Sequence, residues 1–298
     1  MRRCILVPLD GSRQAEVALP HAAAMARASG DTLLLLRVVT PGETSQSLFW
    51  RTTMPVELRD SWEEATLERA DVYLRDTAER LRADGIEAET EVCPAEDAAE
   101  AIVGRADRDV RVGLVAMATH GHGAARAWIL GSVAAKVLQA VATPLLLVRA
   151  SDEEGTPARA PYRRLLVPLD GSAFAELALA EARLLASATG AELTLVAVAA
   201  DHEAERAHAA AYLEGVAARL RGAGLAARAQ VSIGEPAERI LAACAEERAD
   251  LIVMATHGRG GWRRLWLGSV ASKVVERAGA PVLLVRPGGE LAEGEGAI

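Results

Sequence analysis

Aromatic side chains are scarce in this 298-residue chain: five Trp, three Tyr and two Phe make up 3% of it. That shortage excludes a core built on large rings. The 51% hydrophobic share, drawn mostly from Ala, Leu and Val, predicts alanine-faced helices packed on a branched-aliphatic sheet. Basic charge is in the minority, with 33 Lys plus Arg against 41 Asp plus Glu and a net charge of −8. An overall acidic chain argues against a nucleic-acid or anionic-membrane partner, which would call for a basic face. Lysine occurs only at 136 and 273. The three cysteines, Cys4, Cys93 and Cys244, form no CxxC and no metal-ligand spacing. An odd, sparse set reads as reduced thiols of a cytoplasmic protein. No apolar run approaches the roughly 20 residues that span a bilayer. The opening MRRCILVPLDGS reaches its Pro-Leu-Asp-Gly turn too soon for a signal peptide.

What the chain does have is an internal repeat. ILVPLDGS at 5–12 returns as LLVPLDGS at 165–172, an offset of 160. MATHG at 117–121 returns at 254–258, and GSVAAKV at 131–137 returns as GSVASKV at 268–274, both at an offset of 137. TPLLLVR (143–149) is answered by APVLLVR (280–286). These matched blocks, in one order, mark duplicated domains, in keeping with a length suited to about two. The fall in offset places an insertion of 23 residues in the first copy, mostly within 40–64, a stretch that carries Phe49, Trp50 and Trp62. It reads as a structural flap or helix extension, with a lid or docking surface as the sharper alternative. The expected units are 1–149 and 163–287, joined by a charged Pro/Gly-containing linker at 150–162 and followed by a disordered tail at 288–298.

Each half alternates strand and helix. Continuous apolar runs such as CILVPL are strands buried on both faces. Ser12 and Ser172 are placed to cap the next helix, and Gly30 and Gly190 to stop it. Further strands are expected at 32–39, 86–92, 112–118 and 144–148, and at 192–199, 225–231, 250–256 and 281–285. Helices are expected at 63–84, 95–107, 203–223 and 235–247 and from Gly131-Ser132 and Gly268-Ser269. Alternation of this kind predicts an α/β fold: two tandem doubly wound, five-stranded parallel sheets, Rossmann-like, in order 3-2-1-4-5. The fifth strands are apolar edges that need covering. They are expected to pair with each other across a pseudo-two-fold axis within the chain.

Ligands of such sheets bind beyond the carboxyl ends of the strands, where strand order reverses. The repeated PLDGS and ATHG loops follow the first and fourth strands, which flank that reversal. Nine residues separate Gly121 from Gly131 and Gly258 from Gly268, and each second glycine precedes a serine that opens a helix. A glycine-lined loop and a helix N-terminus bring main-chain N–H groups and a favourable dipole to phosphate oxygens. Ser132 and Ser269 either donate to such an anion or cap the helix. Lys136 and Lys273 could reach a phosphate, although a solvated lysine is the default. Asp10 and Asp170 read as turn residues rather than nucleophiles, and His120 and His257 as strand-end residues rather than general acids. His120-Gly-His122 lacks a third ligand for zinc, and no metal site is expected.

The G-x9-G-[ST] spacing after a strand and a Thr-His pair, together with VPLDGS, VSIGEPAERI (231–240), ADLIVMATHGRGG (249–261) and the closing PVLLVR, resembles the universal stress protein family across both halves. The resemblance implies that Pro8, Leu9 and Asp10, and Pro168, Leu169 and Asp170, lie against adenine and ribose. It implies that Val38 and Val198 offer backbone contacts to adenine. Met117, Ala118, His120, Gly121, Gly123, Gly131, Ser132 and Val133 would line the first site. Met254, Ala255, His257, Gly258, Gly260, Gly261, Gly268, Ser269 and Val270 would line the second. ATP, with Mg, is the implied cofactor, and the implied role is non-catalytic nucleotide sensing in a stress response, with at most slow ATP hydrolysis. A homodimer is compatible with this reading. The family's G-x2-G-x9-G pattern has its first glycine replaced by Ala118 and Ala255. A methyl group there narrows the crevice and disfavours positive φ, which motivates the alternative of a nucleotide-free interaction scaffold. No P-loop and no SGGxDS loop is present.

Overall fold

The computed structural model describes residues 3–41, 56–119, 130–149, 162–256 and 267–286, with the side chains of 56–60 left aside. The first half runs β1 (Cys4–Pro8), α1 (Arg13–Glu16), α2 (Ala18–Ser29), β2 (Thr32–Val39), α3 (Val56–Ala83), β3 (Ala88–Pro94), α4 (Ala98–Arg108), β4 (Val112–Ala118), α5 (Ser132–Ala140) and β5 (Leu145–Val148). The second runs β6 (Arg164–Pro168), α6 (Ala173–Thr189), β7 (Glu192–Ala199), α7 (Glu203–Gly222), β8 (Ala227–Ile233), α8 (Pro236–Glu246), β9 (Leu251–Ala255), α9 (Ser269–Arg277) and β10 (Val282–Val285). Strand order is β3-β2-β1-β4-β5-β10-β9-β6-β7-β8, so each half has the order 3-2-1-4-5. Pairing is parallel within each half. Between halves β10 lies antiparallel to β5, with Leu283 opposite Leu146.

Strand side chains alternate between two faces, and both faces are covered. Ile5, Val7, Leu33 and Leu35 pack with α2 and α3, in one continuous layer with the equivalent residues of the second half. Leu6, Leu34 and Leu36 pack with α4 and α5 on the opposite face. Small alanines let the helices lie close to the sheet; Ala18, Ala22, Ala178 and Ala182 have no exposed surface. Across the junction α2 packs on α6. There His21 Nδ1 lies 2.7 Å from the Tyr162 hydroxyl, with the two rings stacked. Tyr162, at the end of the span read as a linker, is buried; residues 150–161 and the tail lie outside the described residues.

Three local departures have physical causes. The helix expected from Ser12 to Gly30 is broken at Val17, whereas its counterpart α6 is continuous. Pro20 stands where the second copy has Ala180, and a proline removes the N–H that would bond the carbonyl four residues back while its ring crowds that carbonyl. Strands β3 and β8 start two residues later than expected. Gly85 and Gly224 adopt left-handed φ of 78° and 82° after α3 and α7. Ile86 and Leu225 then donate back to Leu81 and Leu220, at 3.0 and 3.1 Å. Their apolar side chains thus complete a helix stop rather than open a strand. Finally, α3 begins at Val56, ahead of the expected 63, so part of the insertion extends this helix to 28 residues against 20 in α7. Residues 42–55 lie outside the described residues. Among the described residues, no helix is long and apolar enough to cross a membrane.

Candidate functional site

Strands β1 and β4 are parallel neighbours at the reversal of the first half, as β6 and β9 are in the second. Their carboxyl ends bring the points where the two repeated loops begin, after Pro8 and Ala118 and after Pro168 and Ala255, side by side. After β1 the ladder extends one residue, Leu9 N–H donating to Leu36 O at 2.8 Å. Gly11 then turns the chain at φ 82°. Asp10 Oδ1 accepts from Ser12 N–H at 2.9 Å and from its hydroxyl at 2.6 Å. Ser12 Oγ accepts in turn from Ala15 N–H at 3.0 Å, capping α1. The second copy repeats this with Asp170, Gly171 and Ser172, whose Oγ takes Ala175 N–H at 3.1 Å. Both aspartates are therefore engaged as acceptors in the turn. Leu9 and Leu169 sit in the core, each 3% exposed, so their side chains are not open to a ligand. Losing one such cap costs about 1 kcal/mol; Ser172→Ala is expected to lower the urea midpoint accordingly, with an unchanged m value.

The second loop leaves β4 and re-enters at α5. Thr119 N–H donates to Val148 O at 2.8 Å, and Gly131 N–H donates to Thr119 O at 2.8 Å. In the other half the equivalents are Thr256 to Val285, at 3.0 Å, and Gly268 to Thr256, at 2.9 Å. Each threonine is buried and pins both ends of its loop to the sheet. Residues 120–129 and 257–266, with His120, Gly121 and Gly123, and His257, Gly258, Gly260 and Gly261, lie outside the described residues. In the sequence Thr119 and Thr256 count only as half of the repeated Thr-His pair, with no sign of the closing role they take here.

Gly131 and Gly268 are the N-cap residues of α5 and α9, at φ −57° and −58°, and neither helix has a side-chain cap. Ser132 and Ser269 therefore occupy the first helical position and are exposed, which removes capping, one of the two roles open to them. Capping needs a side chain one residue earlier, outside the helix. Val133 and Val270 are half-buried against the core. Met117, Ala118, Met254 and Ala255 are buried strand residues, Ala118 paired with Val148 and Ala255 with Val285. Among the described non-glycine residues only Arg248 has positive φ. The alanines therefore meet no backbone strain, and the conformational objection to them falls. At the end of the second strands, Val38 is buried and Val198 half-buried.

The two lysines turn away from a ligand role. Lys136 Nζ lies 2.5 Å from Asp97 Oδ2 and Lys273 Nζ 2.9 Å from Glu235 Oε1. Asp97 and Glu235 are the N-caps of α4 and α8. The lysine hydrogen bond is the largest influence holding each carboxyl below its ordinary value, followed by a first-turn backbone N–H. Asp97 and Glu235 are thus structural equivalents in the two halves.

Two fused doubly wound domains, each with a turn aspartate and a glycine-capped helix at its reversal, define the class of protein. The sequence model described as the universal stress protein family matches residues 1–149 and 161–286. The chain belongs to that family. A universal stress protein from Mycolicibacterium smegmatis is 27% identical over 295 residues, covering 95% of this chain and 97% of the relative. One from Thermus aquaticus is 37% identical over 137 residues, 42% of this chain but 99% of that protein. The crystal structure of a universal stress protein from Archaeoglobus fulgidus superposes with a TM-score of 0.75 at 24% identity, covering 96% of this chain and 98% of that one, and so shares the fold.

Proposed function

We propose that the protein binds adenine nucleotide, ATP with Mg, in two units spanning 1–149 and 163–287, and acts in a cytoplasmic stress response by sensing rather than turning over the nucleotide. The observation that carries this reading is the pair of loops pinned by Thr119 and Thr256 onto helices that begin at glycine with no side-chain cap. Such an N-terminus offers main-chain donors and a positive dipole end to phosphate. Pro8, Asp10 and Val38, and Pro168, Asp170 and Val198, stand at the neighbouring strand ends for the base and ribose. Binding without turnover is supported by Asp10 and Asp170, whose Oδ1 atoms already accept turn hydrogen bonds.

The test begins with chromatography of nucleotides released by heating purified protein, followed by ATP titration. The expected result is retained adenine nucleotide and a rise in stability of about 2.7 kcal/mol per site at a hundredfold excess of ATP over Kd. The double variant Gly131→Asp, Gly268→Asp should lose both. Aspartate is a favoured N-cap, so the helices keep their ends while a carboxylate occupies the place of the phosphate. Absence of retained nucleotide together with no binding at millimolar ATP overturns the reading. Identical melting temperatures with and without ATP favour the nucleotide-free scaffold, whose basis is the pair of methyl groups at Ala118 and Ala255.

A further inference from the structure

We propose that Arg286, in the second half, is a positioning residue for the crevice of the first half. The inference rests on the nucleotide reading above for its functional part, and on the following geometry for its structural part. On that reading the N-terminus of helix α5 serves the first nucleotide site. At its other end, the last four carbonyls of a helix lack intrahelical donors. Val137 O accepts from Val141 N–H at 2.9 Å. Gln139 O accepts from Arg286 Nη1 at 3.0 Å, and Leu138 O accepts from Arg286 Nη2. These are bonds across 147 and 148 residues of sequence, made by the residue that follows β10.

The contact also meets an electrostatic need particular to this helix. The C-terminal end of a helix carries partial negative charge and favours a cation. Helix α5 has no basic residue in its last turn, whereas α9 has Arg277 in its own. The second half therefore supplies what the first half's helix lacks. Arg286 is half-buried at the junction, and among the described residues no carboxylate pairs with it. Its neighbour Val285 receives Thr256 N–H, the bond that pins the second loop. One short segment thus touches the base of the second crevice and the far end of the helix that opens on the first.

The test uses the full chain with Arg286→Gln, which keeps a donor but loses the fork and the charge, and Arg286→Lys, which keeps the charge. Hydrogen–deuterium exchange is followed over 132–141 and over 269–278, together with ATP titration. In Arg286→Gln the amides of α5 are expected to exchange at least about fivefold faster while those of α9 do not change. ATP is expected to weaken about tenfold at one of two sites, with partial recovery in Arg286→Lys. Unchanged exchange in α5 overturns the proposal. So does faster exchange with ATP affinity equal to wild type at both sites, because the contact would then hold the helix without serving the crevice. Should wild-type protein bind no ATP, the nucleotide reading fails, and the exchange measurement alone decides whether the second half holds α5.

Discussion

Leu283→Ala is expected to lower the unfolding free energy by about 3 kcal/mol, within the usual range of about 2–5 for a buried leucine. Leu283 is 2% exposed and faces Leu146, which is 0% exposed, in the middle of the antiparallel pairing that joins the halves. The two side chains belong to one buried cluster that runs through both units. Truncating either leaves a cavity on the seam, and truncating both should cost less than the sum, because the second truncation enlarges a space already opened. Urea denaturation of the two single variants and the double variant gives all three quantities. A loss below about 0.5 kcal/mol, typical of an exposed position, would mean that the strands do not meet in solution. Separation of the transition into two steps would show that the seam makes the halves unfold together.

Acidification provides the second large effect. Burial lowers the His21 imidazole from an ordinary 6.5 to about 4. Between these values the unfolded chain binds the proton more readily than the folded one, so stability falls as pH falls. The contribution is therefore complete above pH 6.5, declines from there to about pH 4, and is gone below. A shift of that size corresponds to about 3 kcal/mol. Protonation also places a charge against the Tyr162 hydroxyl, 2.7 Å away, in a junction with stacked rings. Burial pushes the carboxyl of Glu181 up, while Arg3 opposes and Asp31 adds to the shift. That group acts in the opposite sense, favouring the folded state as pH falls. Comparing wild type with His21→Gln at pH 7 and pH 4.5 cancels such background. Parallel pH profiles for the two proteins would show that His21 is solvated in the folded state.

The architecture was legible because duplication prints each signal twice. VPLDGS, MATHG and GSVA[AS]KV give strand, turn and helix start in each half, and strands 32–39 and 112–118 fall where the apolar runs place them. Misplacements occurred where a residue type serves two purposes. Ile86 and Leu225 look like strand residues by hydrophobicity, yet the left-handed glycines before them commit them to helix stops. Pro20 sits inside an otherwise periodic alanine-rich helix, and only its position relative to Glu16 shows where the break falls. In the candidate site, spacing marked Gly131 and Gly268 as the starts of helices but not what their main chain bonds to. Gly131 and Gly268 direct their N–H groups to threonine carbonyls, and that follows from three-dimensional closure of a loop. The repeat of TPLLLVR as APVLLVR marks Arg286, but its pairing with Leu138 and Gln139 is not legible, since helix carbonyls carry no residue code.

Strand pairing at the seam also changes how the protein responds to dilution. In a one-copy chain, an apolar fifth strand would have to find a second molecule, and the pairing would disappear at low enough concentration. Here covalent connection makes the encounter intramolecular, with an effective concentration fixed by the tether rather than by the solution. The ends left outermost are β3 and β8, where Arg105 bridges Glu91 and Arg228 bridges Glu192 and Glu247. Charged margins of this kind resist end-to-end growth of the sheet.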